Sequence, residues 1–114
     1  MNSKQLSELA IEALEDIKGI DIKVLDVVNK SSVTDIMIFA SGNTSRQVKA
    51  LANSVAMKAK EAGVPALGIE GDDTSEWVLV DLGDVVVHIM QPSIREFYNL
   101  EKLWGEGSPA EAAK

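Results

Sequence analysis

The stretch Trp77-Val78-Leu79-Val80-Asp81-Leu82-Gly83-Asp84-Val85-Val86-Val87-His88-Ile89-Met90 decides the fold. Two apolar, β-branched runs flank the pair Gly83-Asp84, which suits a two-residue hairpin with a primed turn. With that loop, Leu82 faces Val85, Val80 faces Val87 and Val78 faces Ile89, all on one side of the sheet. This side is expected to be core. The other side carries Asp81 opposite Val86, Leu79 opposite His88 and Trp77 opposite Met90, and it too is largely apolar. Both faces of the hairpin therefore need cover.

Upstream, Asp35 to Ser41 is almost continuously apolar and predicts a central strand. Ser41-Gly42-Asn43-Thr44 then opens a helix, with Thr44 and Gln47 at capping-box spacing. Its stripe is Val48, Leu51, Ala52, Val55, Ala56, Ala59 and Ala62, and Gly63 with Pro65 closes it. Ala66 to Ile69 predicts a short strand, so this segment is a strand–helix–strand unit. Nearer the start, Leu6, Leu9, Ala10, Ala13, Leu14 and Ile17 mark an amphipathic helix opened by Asn2 and Gln5 and ended by Gly19. Ile22 to Asn29 predicts another strand. Pro92 opens a last helix, in which Ile94, Phe97, Tyr98, Leu100, Leu103 and Trp104 spread over more than one face. Some of its aromatic surface is expected outside. The order α-β-β-α-β-β-β-α, with one parallel crossover and two hairpins, predicts an α/β (α+β) domain over residues 1–104. Its helices pack on a mixed five-stranded sheet, and a disordered tail follows over 105–114.

A length of 114 residues allows one domain. At this size about two thirds of the chain's surface is buried on folding, enough for an ordinary core. Zero cysteines exclude disulfide frameworks, thiolate zinc sites, iron–sulfur clusters and cysteine nucleophiles together. No basic segment precedes an apolar run at the start, and no apolar run reaches the roughly 20 residues needed to span a bilayer. A cytoplasmic protein without membrane attachment is expected.

Eleven Lys and Arg against eighteen Asp and Glu leave a net charge of −7. Nucleic-acid binders have the opposite balance, because they neutralise phosphates with clustered cations. The acidic region Glu70, Asp72, Asp73 and Glu76 would repel a phosphate backbone. Sequence-specific nucleic-acid binding is not expected, and a charged macromolecular partner would be a basic protein.

Three constellations could carry chemistry. Ser41-Gly42-Asn43-Thr44-Ser45-Arg46 places a glycine, hydroxyls and an arginine at a helix start, where N–H groups can hold an anion. It matches neither a Walker loop nor a dinucleotide fingerprint, and helix capping explains it. A metal-dependent nucleotidyl or phosphoryl transferase would need carboxylates beside that loop, drawn from Glu70 and Asp72 or Asp81; turn geometry accounts for Asp81 and Asp84. His88 is the only histidine, so no zinc set forms. A Ser75, His88, Asp81 triad lacks a nucleophile elbow, which leaves His88 as a structural or interface residue. No catalytic residue, metal or cofactor is expected.

Two readings of the hairpin's second face remain. Either the last helix seals it and Trp77 is a core residue, or it stays partly open to a partner. In the second case Trp77→Ala should cost about 2 kcal/mol or more in binding and little in folding.

Taken together, several segments resemble the bacterial ribosomal silencing factor family (RsfS, or Iojap). They are Leu25-Asp26-Val27 with Ser31 to Asp35, Ala40-Ser41-Gly42 to Ser45-Arg46-Gln47-Val48, and Pro65 with Gly68 to Gly71. Trp77 to His88, and Arg95 to Trp104 with Tyr98-Asn99-Leu100-Glu101-Lys102-Leu103-Trp104, complete the match. Leu82 stands where many relatives have Tyr, and Ile36-Met37 where many have Tyr-Phe. The resemblance implies a degenerate nucleotidyltransferase-like fold and a non-enzymatic role. In that role the protein binds the large ribosomal subunit through ribosomal protein number fourteen, blocks joining of the small subunit and lowers translation under nutrient limitation. It also implies a homodimer in the free protein and, from organellar relatives, a link to large-subunit biogenesis. On this view Trp77, Leu79, Asp81, Met90 and Tyr98 form the docking surface. The apolar members supply desolvation and Asp81 an acceptor, while Arg95 and Glu101 support them from the helix.

Overall fold

The computed structural model describes residues 2–29, 34–71, 75–99 and 102. Its elements run α1 (Ser3–Asp16), β1 (Ile20–Asp26), β2 (Ile36–Ser41), α2 (Ser45–Glu61), β3 (Gly68–Glu70), β4 (Trp77–Asp81), β5 (Val85–Met90) and α3 (Pro92–Tyr98). One mixed sheet in the order β1-β2-β5-β4-β3 carries them, antiparallel throughout except for the parallel pair β2 and β5. The expected single domain with a mixed five-stranded sheet is what the chain forms.

The hairpin register is the predicted one, with Trp77 opposite Met90, Leu79 opposite His88 and Asp81 opposite Val86. Gly83 takes φ 92 and its N–H donates to Asp81 Oδ1 at 2.9 Å, which closes the turn. The Asp84 carbonyl beyond it accepts from the N–H groups of Asp35 and Ile36 and from Thr34 Oγ1. One turn oxygen thus fixes where β2 begins against β5.

Helices α1 and α2 cover one face. Leu6, Ala10, Ala13 and Leu14 of α1 and Val48, Leu51, Val55 and Ala59 of α2 pack with Ile38, Ala40, Val78, Val80, Leu82, Val85, Val87 and Ile89. These are the side chains that the two periodicities assign to a core. The helix starts also follow the sequence: Asn2 and Gln5 form a reciprocal capping box, and Thr44 Oγ1 accepts from Gln47 N–H. Lys58 of α2 bridges Glu12 and Asp16 of α1, each at 3.0 Å.

Several boundaries differ from expectation, among them that of β3, which runs from Gly68 to Glu70 and not from Ala66 to Ile69. Helix α1 ends at Asp16, and Lys18, not Gly19, takes the left-handed position at φ 61. Gly19 N–H reaches Leu14 O at 2.8 Å and Lys18 N–H reaches Glu15 O at 2.9 Å, a Schellman closure. Gly19 is needed for space, since a Cβ there would lie 3.1 Å from Leu14 O and 3.3 Å from the Leu51 side chain. Strand β1 runs from Ile20 to Asp26, not from Ile22 to Asn29, and contains a bulge: Ile20 pairs with Ser41 but Lys23 with Phe39, with Asp21 at φ 51. Helix α3 stops at Tyr98, because Asn99 adopts φ 48 and ψ 49. The expected continuation through Leu100, Leu103 and Trp104, and the tail 105–114, lie outside the described residues, as do Asp72 and Asp73.

Candidate functional site: the second face of the sheet

Pleating sends Met37, Phe39 and Ser41 of β2, Val86, His88 and Met90 of β5, and Trp77, Leu79 and Asp81 of β4 to the face opposite α1 and α2. A smaller cluster forms there from Val27, Met37, Phe39 and Met90, with Leu25, Trp77 and Ile94 packed against it. Helix α3 is its only helical cover among the described residues. It is seven residues long, about two turns, and has no fully buried residue of its own. Among the described residues, a cover that short leaves part of an apolar face unsheathed.

What holds α3 down is Arg95. Its guanidinium donates to Asp21 O at 2.7 Å and Ser41 Oγ at 2.9 Å, and more weakly to Ile20 O at 3.4 Å. The β1 bulge turns those carbonyls toward the helix. The planar fork can meet several oxygens at once, which a lysine cannot do. Arg95 therefore acts on this face through the helix it anchors.

From the buried cluster outward runs a chain of rings. Phe39 and His88 stack at 5.0 Å between centroids and 10° between planes. His88 lies 6.0 Å from Trp77, Trp77 lies 5.0 Å from Tyr98, and Phe97 stands edge-on to Tyr98 at 5.0 Å. Exposure rises along it, from 0% at Phe39 and 6% at His88 to 51% at Tyr98 and 79% at Phe97. Trp77 Nε1–H donates to His88 Nδ1 at 3.1 Å, which assigns the imidazole proton to Nε2. Burial lowers the His88 pKa to about 4, so the ring is neutral at pH 7.

The residues expected to form the docking surface divide accordingly. Trp77, Leu79 and Asp81 are half-buried and side by side along β4, and Tyr98 is brought over Trp77 by α3. Met90 corrects the expectation, for it is fully buried in the second cluster and has no surface to offer a partner. Its position opposite Trp77 places it beneath the rim of the plate, where Trp77, Ile94 and Phe39 share its cluster. Asp81 spends one oxygen on Gly83 N–H. Glu101 lies outside the described residues. Trp77 is also structural, because truncating it would open space beside Tyr98 and strip the buried imidazole of its donor. Trp77→Ala is thus expected to cost folding about 2–3 kcal/mol as well, contrary to the sequence expectation.

The sequence reading placed Phe97 among the aromatics of the last helix but not in the site, since nothing in the spacing shows which way a short helix is rolled. Leu67, exposed beside the hairpin turn, gave no signal either, being one apolar residue in a short strand prediction.

The two chemical alternatives meet occupied groups. Gly42 N–H donates to Met90 O, Asn43 N–H to Gln47 Oε1 and Gln47 N–H to Thr44 Oγ1, so the α2 start is capped by its own chain. His88 Nδ1 is taken by Trp77, not by a serine or a carboxylate. Among the described residues no group of three or more His, Cys, Asp or Glu side chains could hold a metal ion. No helix among them is long and apolar enough to cross a membrane.

The fold and this face define a small single-domain α/β protein that presents a half-covered aromatic plate. A family model described as ribosomal silencing factor during starvation matches residues 1–114. The chain is 56% identical over 110 residues to ribosomal silencing factor RsfS of Chromobacterium violaceum, covering 96% of this chain and 90% of that one. It is 42% identical over 111 residues to that of Bacillus subtilis, covering 97% and 94%. A mouse protein named mitochondrial assembly of ribosomal large subunit protein 1 is 33% identical over 100 residues, which span 85% of this chain and 44% of the mouse one. A crystal structure of a Chromobacterium violaceum protein superposes with a TM-score of 0.91 at 57% identity, covering 93% of this chain and 89% of that one. One from Bacillus halodurans gives 0.81 at 38% identity, covering 90% and 95%. The chain belongs to the ribosomal silencing factor family.

Proposed function

We propose that this chain silences translation by docking on the large ribosomal subunit through ribosomal protein number fourteen, where its bulk keeps the small subunit from joining. The observation that carries this reading is the plate of Trp77, Leu79, Tyr98 and Phe97, left open by a helix too short to sheathe it. Aromatic side chains over a packed base make strong protein contacts, because they bury much area and lose little rotamer freedom. Asp81 and Glu70 border the plate, and the net charge of −7 favours a basic protein as the host while repelling bare RNA. No reaction is needed for this role. The assay is cosedimentation with purified large subunits, followed by addition of small subunits. The chain should travel with large subunits and lower the yield of joined particles. Tyr98→Ala should weaken binding by about 2 kcal/mol, roughly thirtyfold. A chain that pellets with neither subunit sinks the proposal.

The name of the mouse relative favours a second reading, a part in large-subunit assembly. It uses the same docking face. It is distinguished by depleting the protein and following large-subunit precursors: precursors accumulate if assembly is the task, whereas only subunit joining changes if silencing is.

A further inference from the structure

His88 is a buried titratable group that the docking role does not itself use. Its strand position lies between Val87 and Ile89, and Phe39 of the neighbouring strand stacks flat against the ring. Filling that space needs only an apolar ring, and an imidazole there costs desolvation. What the imidazole supplies is an acceptor at Nδ1, which the half-buried Trp77 indole meets at 3.1 Å. Trp77 opens β4 directly after a loop, and its other ring neighbour is Tyr98, held by a short helix. The Nδ1 bond selects one indole orientation, and Tyr98 rests on that indole.

We infer that His88 is a positioning residue, which fixes the Trp77 indole, and through it Tyr98, in the orientation that receives the large-subunit protein. The inference rests on the docking reading above. A surface set before binding loses less conformational freedom on binding, and each side chain that must instead be immobilised weakens affinity by about two- to tenfold.

The test uses cosedimentation with purified large subunits together with the indole ¹H–¹⁵N resonance of Trp77. His88→Phe keeps a ring on Phe39 but removes the acceptor. It should weaken binding about tenfold and shift the indole proton away from its hydrogen-bonded position. His88→Asn puts a carbonyl oxygen near the place of Nδ1 and should restore affinity to within about threefold of the unmodified chain. His88→Gln, whose amide lies one bond further out, should not. In a Trp77→Phe background, His88→Phe should change affinity less than twofold, because the group it acts through has gone.

Full binding by His88→Phe, or an equal loss in both backgrounds, overturns the inference and leaves the docking reading standing. If His88→Phe does not fold, the Asn and Gln variants decide: Asn binding no better than Gln overturns it. An unmodified chain that fails to pellet with large subunits overturns the docking reading and this inference with it.

Discussion

Lowering the pH from 7 to 5 should cost the folded state about 2 kcal/mol through one side chain. His88 has an ordinary pKa of 6.5, and burial lowers it to about 4 in the fold. Between those values the unfolded chain takes up a proton that the folded chain refuses, so stability falls as pH falls from 6.5 toward 4 and changes no further from this source below 4. The full difference of about 2.5 units corresponds to about 3 kcal/mol at 1.36 kcal/mol per unit. That is a large part of the 5–15 kcal/mol typical of a domain. Burial alone drives the shift. The charged residues that share this face by register, Lys23, Glu70 and Asp81, stand two strands or one residue pair away from the imidazole. The chain has one histidine, so its ring resonances can be followed by NMR through a pH titration without ambiguity. Urea unfolding at several pH values gives the stability, and His88→Phe isolates the histidine from all the other groups, which the two proteins share. The unmodified chain should lose about 2 kcal/mol relative to His88→Phe between pH 7 and pH 5. A ring that titrates near 6.5, or a pH slope as steep in His88→Phe as in the unmodified chain, refutes the reasoning.

Three further outcomes follow from single contacts. Arg95→Ala should release α3, lowering stability by about 1–2 kcal/mol and raising amide exchange across 93–98, and Arg95→Lys should not restore protection because the fork is lost. Gly71→Ala should destabilise severely and disturb Trp77: Gly71 has φ 86, and a Cβ there would strike the Trp77 carbonyl oxygen. Near-normal unfolding with unchanged tryptophan fluorescence would count against it. Lys18→Gly should stabilise by up to about 1 kcal/mol in urea unfolding, since glycine accepts the φ of 61 that lysine holds under strain.

The sequence by itself determined the sheet and its main core. Alternation about Gly83-Asp84 set the hairpin register residue by residue, because a slip of one would turn Val78, Val80, Val87 and Ile89 out of the core. Helical spacing identified the inward faces of α1 and α2, and cap chemistry at Asn2 and Thr44 located their starts, since both are local patterns. The second face was a different matter. Its apolar residues showed that it needed cover, but how much of it α3 supplies depends on contacts between segments far apart in the chain. Asn99 stops the helix, the bulge at Asp21 offers carbonyls to Arg95 from 74 residues away, and Ile94 settles on the second cluster. Those contacts bury Met90 and leave Tyr98 and Phe97 outside. No local pattern encodes that division, because whether a residue on this face meets the protein's own helix or solvent is settled only when the distant parts dock.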